Sequence, residues 1–456
     1  DFHLFLGDKT YHGVADQASE DIIVQGGSLE HGFGGGFITQ IDPQSKVFLV
    51  SVRLEPNAQV TFTLTYEILL VRRHSMFCNT IALHPGQVVD KLRINVTITE
   101  PQGVRIAEVY LNDRSLGHSN AQLSLLINQP SRSILHVFYQ PTRQHQQQFN
   151  ADGIMGDFTV KYDVIHDNNA GDIQVLNDYF VQFFSPTGLP VLRKHVIFVI
   201  DISSSMEGTK LAQVKAALKT ILEEISPGDK FNILPFSNQV EFLDRYRMVE
   251  ASFDNVQYAK TYVDELQVMD ATNLNRAILE GVNMLRREGE KIRGGEKVIS
   301  MLIVLTDGEP TYGETDTKEI ERNVQDAING DFSLFCLAFG EDADFNFLNR
   351  LALNNHAVAR WIPERVDASV ILQGFYDEVA TPLLYDLQFY FSEGVVPNTL
   401  SERFFSNYFN GSEIVLVGKL DNTRPSNHIL RSFVYGKTAT DEISLASETK
   451  TINGGF

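Results

Sequence analysis

Cysteine is almost missing from this chain: Cys78 and Cys336 are the only two in 456 residues. Two thiols cannot build a disulfide framework, and they say little about redox compartment. Cys336 lies in the apolar run Ser333-Leu-Phe-Cys-Leu-Ala-Phe and is expected inside a core. Tryptophan occurs once, at Trp361, among apolar neighbours that also suggest a core. No apolar stretch reaches the roughly 18 residues that a membrane-spanning helix needs. Basic charge is scarce: 38 Lys and Arg face 58 Asp and Glu, a net charge of −20 at pH 7. Such a surface repels phosphate backbones and anionic lipid, so nucleic acid and membrane surfaces are poor partners. It repels acidic polysaccharides too, unless a basic patch or a covalent bond intervenes. His-Glu-x-x-His and Gly-x-Ser-x-Gly do not occur, so zinc and serine hydrolysis lack their residues. The opening Asp1-Phe-His-Leu-Phe-Leu-Gly has neither the basic start nor the long apolar core of a signal peptide.

What is present is an ordinary globular composition, 43% hydrophobic and 21% charged. Domains of about 100–200 residues give two to four of them. Residues 1–190 read as mostly β. The runs starting at Val47, Val60 and Leu92 alternate apolar and polar residues, the period of a half-buried strand. Glu55-Pro-Asn, His84-Pro-Gly and Glu100-Pro-Gln-Gly separate them as turns. Tyr66 to Arg73 is expected to be a short helix, and the polar stretch from Arg143 to Gly153 an exposed loop. The glycine-rich Gly32 to Gly36 reads as a flexible turn, because no strand precedes it and no helix follows.

The pattern changes near residue 195. Val196-Ile-Phe-Val-Ile and Val298-Ile-Ser-Met-Leu-Ile-Val-Leu are continuous apolar runs, as expected for parallel strands buried on both faces. Phe231 to Phe236 and Ser333 to Phe339 read as further strands, although Pro235 argues against the first. Helical spacing joins Leu211, Val214, Leu218, Ile221 and Leu222 on one face. More helices are expected at about 255–268, 274–287, 318–329, 345–354 and 368–380. Alternating strands and helices predict a doubly wound α/β domain over 192–384. After 385 the text returns to β. An α/β domain inserted into a β-sandwich is the simplest arrangement, and β domains strung in a line are the alternative.

The chemistry gathers after the first buried strand, in Asp201-Ile-Ser203-Ser-Ser205. Ligands of open α/β sheets bind beyond the carboxyl ends of the strands. Thr272, in the loop Met269-Asp-Ala-Thr-Asn, and Asp307, ending Val304-Leu-Thr-Asp, can reach the same end. Magnesium wants six oxygen ligands and keeps several waters. Three neutral hydroxyls and two aspartates suit it, and they leave the ion electrophilic toward an incoming carboxylate. Mn2+ or Ca2+ could replace Mg2+. The plainer reading is that Asp201 and Ser203 only cap the next helix. A metal-assisted hydrolase is the enzymatic reading, but no general base or nucleophile with a partner accompanies the five residues, so the expectation is no enzyme. Asn95-Val-Thr97 and Asn410-Gly-Ser412 match the N-glycosylation acceptor pattern.

The order Asp201-x-Ser203-x-Ser205, Thr272, Asp307 resembles the metal-ion-dependent adhesion site of von Willebrand factor A domains. Wider stretches resemble the inter-alpha-trypsin inhibitor heavy chains, among them Thr306-Asp-Gly-Glu-Pro-Thr-Tyr-Gly-Glu, Phe345-Asn-Phe-Leu-Asn-Arg-Leu-Ala and Asn410-Gly-Ser-Glu-Ile-Val-Leu-Val-Gly-Lys-Leu. Tyr66-Glu-Ile-Leu-Leu-Val-Arg-Arg and Glu100-Pro-Gln-Gly-Val resemble that family's VIT domain. The likeness runs from about residue 37 to 420. It implies a VIT domain over 1–112, a sandwich segment over 113–191, the von Willebrand factor A domain (Rossmann-like) over 192–384 and a closing β segment over 385–456. It also implies a secreted glycoprotein of the extracellular matrix, linked to hyaluronan metabolism and protease inhibitor complexes, that grips a carboxylate on a protein ligand. The alternative is an intracellular scaffold with the same two domains. Ser204 stands where the family commonly has glycine, at a position that is not a ligand. The family's Asp-Pro-His-Phe site, whose aspartate is esterified to glycosaminoglycan, is missing: the chain ends Asn453-Gly-Gly-Phe, and Asp42-Pro43 lies in another context. Glycosaminoglycan-linked assemblies would therefore need a segment not in this chain. Protease inhibition in that family belongs to a separate cysteine-rich chain.

Overall fold

A computed structural model describes residues 2–6, 9–13, 22–23, 37–40, 48–51, 59–68, 70, 72–73, 75–112, 114–117, 124–165, 170–290, 297–363, 368–421 and 429–450. The Gly32–Gly36 turn, Asp42-Pro43 and the final Asn453-Gly-Gly-Phe lie outside the described residues. The chain divides into two compact units, Asp1–Leu70 and Val71–Phe456. The first holds two small antiparallel sheets. One orders Lys9–Gly13, Phe2–Leu6 and Val60–Leu64, and the other Ile22–Ile23, Phe37–Gln40 and Phe48–Ser51.

The second unit opens with two more β-sheets. Arg72–Arg73, Met76–Leu83, Gly156–Val164, Val104–Leu111 and Arg114–Ser115 form one of them. Ile94–Thr99, Ile134–Tyr139 and Leu125–Ser131 form the other. Tyr139 stacks on Phe158 with ring centroids 5.0 Å apart, one from each sheet. Two sequence expectations fail here. The described residues between Tyr66 and Arg73 contain no helix, and Arg72–Arg73 is a strand paired with Phe77 and Met76. Arg72 is buried against Asp163, and the hairpin turn at Ser75, with φ of 63°, returns the chain instead of a helix. Conversely, Arg143–Phe149 is a helix, capped by the Thr142 hydroxyl, which accepts from the His145 N–H. Its glutamines are good helix formers, and buried Gln146 anchors it by exchanging bonds with the Val89 backbone.

The α/β domain is built on a six-stranded sheet. Its order is Val249–Glu250, Lys230–Phe236, Lys194–Asp201, Ile299–Thr306, Ser333–Phe339 and Ala359–Ile362. All neighbours run parallel except the short Val249–Glu250 edge. The apolar text of the central strand follows from its place. Val196, Phe198 and Ile200 pack into one core, and Ile197 and Val199 into the core on the other face. Helices Thr209–Glu224, Phe253–Glu265 and Ala368–Val379 cover the first face, and Leu274–Gly289, Thr317–Ile328 and Phe345–Leu353 the second. Each fully buried Leu, Ile or Val contributes about 1.5–3 kcal/mol over exposure. Pro235 is tolerated because the far side of its strand is an edge at that point. Its carbonyl accepts there from the Glu241 N–H, so a missing N–H on that side breaks no ladder bond.

Strands from before and after this domain share a third layer. Tyr179–Phe184 pairs with Ile414–Lys419, and Pro382–Phe391 centres a sheet with Phe404–Phe409, Ile429–Lys437 and Glu442–Lys450. Phe184, Leu384, Phe389, Tyr408, Leu416 and Val434 fill the space between the two sheets. Strands from both sides of the α/β domain therefore pair with one another and pack on a shared core. Among the described residues no helix is long and apolar enough to cross a membrane.

His195, buried on the central strand, has no hydrogen-bond partner for Nδ1. Burial pushes its pKa down to about 4 and nearby Lys230 adds to this, while Glu288 and Asp229 oppose. The folded state thus prefers neutral imidazole, and its contribution is present above pH 6.5 and lost as pH falls toward 4. That loss is about 3 kcal/mol. Urea unfolding of wild type and His195→Phe between pH 4 and 7.5 should give a stability difference that changes by this amount across that window. A constant difference would contradict it.

Candidate metal centre

Five side chains were expected to meet at the carboxyl end of the sheet, and the loops that carry them do. Asp201 is the last residue of the central strand and fully buried. Its Oδ1 accepts from the Ser203 N–H at 2.8 Å, and its Oδ2 from the Thr306 hydroxyl at 2.5 Å. Thr306 in turn accepts from the Gly308 N–H at 3.0 Å. The carboxylate of Asp201 is thereby tied to the strand end that carries Asp307. Buried Ser203 and exposed Ser205 bring their hydroxyl oxygens within 3.0 Å of each other.

The helix-capping reading fails on geometry. The long helix begins at Thr209 after Gly208, whose φ is 82°. Ser203 precedes only a single 3-10 turn, Ser204–Met206, and makes no side-chain cap bond to it. Its hydroxyl is turned to Ser205.

Thr272 reaches the same end through its loop. Met269 N–H donates to Ile202 O at 2.7 Å, and Asn273 N–H to Ser237 O at 2.8 Å. The Thr272 N–H donates to the Thr311 hydroxyl, and the Thr272 carbonyl accepts from Thr311 and Tyr312. The backbone is held in place, which leaves the buried Thr272 hydroxyl outside these bonds. Ala271 carries the strain of the turn at φ of 69°.

Asp307 is the exceptional member. It is buried, and neither carboxylate oxygen has a hydrogen-bond partner. An unsatisfied buried anion is costly. Burial pushes the neighbouring Asp201 carboxyl up to about 6, against the bonds from Thr306 and Ser203, and the charge of Asp307 pushes it the same way. Two buried carboxylates beside paired hydroxyls are a donor set of hard oxygens. These residues fit a divalent ion of the magnesium type. Among the described residues no cluster of three or more His, Cys, Asp or Glu exists, so soft-metal sites have no residues there.

Three contributors escaped the sequence reading. Thr306 was read only as strand. Thr311 lies beyond the motif. Lys210, whose ammonium lies 3.6 Å from Asp307 Oδ2, belongs to the next helix. Only its position five residues after Ser205 could have drawn attention. Of the two glycosylation candidates, Asn95 is exposed on the edge strand Ile94–Thr99, and Asn410 is exposed in the turn after Phe404–Phe409. Asp344 caps Phe345–Leu353 by accepting from the Phe347 N–H.

Residues 195–367 match the von Willebrand factor type A domain. The chain is 36% identical over 451 residues to the human inter-alpha-trypsin inhibitor heavy chain H4, covering 98% of this chain and 48% of the relative. Human heavy chain H3 is 36% identical, with 98% and 50% covered. Human heavy chain H6 is 37% identical, with 90% and 32% covered. The chain thus spans about half the length, or less, of these relatives. Among solved structures, a von Willebrand factor type A protein from Catenulispora acidiphila is similar with a TM-score of 0.49 at 16% identity, covering 62% of this chain and 71% of the other. Residues 195–367 are a von Willebrand factor type A domain, carried in a chain similar over nearly its whole length to the inter-alpha-trypsin inhibitor heavy chains.

Proposed function

We propose that this chain is a secreted, inter-alpha-trypsin inhibitor heavy chain-like binding protein and not an enzyme. In this reading Asp201, Ser203, Ser205, Thr272 and Asp307 form a metal-ion-dependent adhesion site for Mg2+, with Mn2+ or Ca2+ as alternatives. Domains of this type generally carry such a site. The observation that carries the reading is Asp307: a buried carboxylate without a single donor, at the mouth of a sheet where two serine hydroxyls already touch. When bound, the ion would supply an electrophilic position for a carboxylate of a protein partner. The chain's own part is to keep its ligands ready. Thr306 and the Ser203 amide fix Asp201, and Thr311 fixes the Thr272 loop.

Exposed Glu207, Asp270 and Glu309 each lie two residues from a proposed ligand. This acidic rim favours a partner whose carboxylate is flanked by basic residues. A role in carrying or stabilising hyaluronan matrix is proposed with it, and the names of the relatives, inhibitor heavy chains, support association with protease inhibitor complexes. The β-rich N-terminal part, expected at 1–112, is proposed as a VIT domain. Its strand Val104–Leu111 pairs with Gly156–Val164. The division at 113–191, 192–384 and 385–456 is proposed with it.

The test is partner capture from the source fluid on immobilised wild type and Asp201→Ala, with Mg2+ and with chelator. Capture should need both the ion and Asp201. Capture indifferent to either would end the adhesion reading. Intact mass of the protein from its source should show sugar on Asn95 or Asn410. Bare asparagine at both would favour the intracellular scaffold.

A further inference from the structure

Lys210 is misplaced by the ordinary rules. It is the second residue of helix Thr209–Glu224, where the helix dipole disfavours a cation. It is also buried, and long cationic side chains are rarely buried unless paired. Its ammonium lies 2.7 Å from Asp342 Oδ1 and 3.6 Å from Asp307 Oδ2. Room for it is made by Gly340. A Cβ there would stand 2.4 Å from Lys210 Cε and 2.8 Å from Nζ. Gly340 also has φ of +92°, and its backbone is clamped, its N–H donating to Ile362 O and its carbonyl accepting from Trp361 Nε1. A rigid notch thus aims the lysine at Asp307, neither of whose carboxylate oxygens accepts a hydrogen bond.

We propose that Lys210 is the resident counter-cation of the metal centre, a positioning residue that balances Asp307 in the metal-free protein and must be overcome by the incoming ion. The proposal rests on the reading of this centre as a metal site. Its physical content is a competition. With the ion absent, the ammonium offsets part of the cost of burying Asp307. With the ion present, two cations share one carboxylate, and their repulsion lowers affinity. Exposed Asp342 sets the balance by drawing the ammonium outward.

The experiment uses the full chain at fixed pH, with Mn2+ as probe in titration calorimetry. Lys210→Met keeps the stem and deletes the charge. It should bind Mn2+ about tenfold more tightly than wild type, the scale of one partly screened charge at this range. Its metal-free unfolding midpoint should fall. Asp342→Asn releases the ammonium toward Asp307 and should weaken Mn2+ binding several-fold. Lys210→Gln replaces Lys210→Met where the latter does not fold. Unchanged or weaker Mn2+ binding in the lysine variant, with wild type binding normally, overturns the proposal. If wild type binds no Mn2+, the metal reading fails by itself. The Lys210–Asp307 pairing is then decided on the metal-free protein by a double-mutant cycle with Asp307→Asn. Coupling supports the counter-cation role, and additivity overturns it.

Discussion

Mg2+ or Mn2+ at about a hundred times its dissociation constant should raise the unfolding midpoint of the wild-type chain by about 5–10 °C, and Asp307→Asn should abolish that rise. Ligand in such excess adds about 2.7 kcal/mol to the state that binds it. In a domain of 150–250 residues each kcal/mol moves the midpoint by about 2–4 °C. The asparagine keeps the shape of the side chain and removes its charge. Asp307 accepts no hydrogen bond in the folded protein, and the Lys210 ammonium 3.6 Å from it keeps its closer partner Asp342 at 2.7 Å, so the metal-free variant should remain folded. The comparison therefore isolates ion binding from folding. A midpoint that climbs equally in wild type and variant would mean that the ion acts elsewhere. A wild type that does not respond would mean that Asp307 is a tolerated strain and the loops are structural.

The second large effect lies far from this centre in sequence. Asp163 is buried among the strands of the first sheet of the second unit and receives two arginines. Arg72, equally buried, binds Oδ1 through Nε and Nη2 at 3.2 and 3.1 Å. Arg105 binds Oδ2 at 2.8 and 2.5 Å. Arg72 also reaches Ser412 O, and Ser75 N–H donates to Gly411 O, so this cluster joins the sheet to the turn that carries Asn410. Asp163→Ala would leave a guanidinium buried without its carboxylate. The expected loss is about 3–5 kcal/mol in urea unfolding. Replacing Arg72 and Asp163 together by Met and Leu should cost far less, because no buried charge is then left unpaired. A small loss in the single variant would show that Arg72 finds water instead.

The sequence was most readable where one physical constraint acts locally. Val196 to Ile200 is apolar without a break because the strand is covered on both faces, and that demand is written residue by residue. The five helices expected after residue 250 appear within a few positions, since each buries one stripe at a 3.6-residue period. Asp201, Ser203 and Ser205 come together for a related reason, as a spacing of two along one loop brings neighbouring polar groups within hydrogen-bond reach. Local text misled where context outweighed it. The glutamine-rich Arg143–Phe149 looked like a solvated loop, and only the Val89 backbone waiting for Gln146 makes its helix worthwhile. Tyr66 to Arg73 looked helical, while a turn at Ser75 and a buried partner for Arg72 favour a hairpin.

By itself the sequence determined the alternation of strands and helices, the return to β after residue 385 and the identity of the hydroxyls and carboxylates at the strand ends. These are properties of short segments and of their periodicity. Tertiary structure alone decided that Tyr179–Phe184 pairs with Ile414–Lys419, that Thr306 holds Asp201, that Asp307 is left without a donor and that Lys210 passes Gly340 to face it. Each of these joins residues distant along the chain. Which distant groups meet depends on how whole layers pack and on what the packing leaves unpaired, and no single stretch of the chain encodes that.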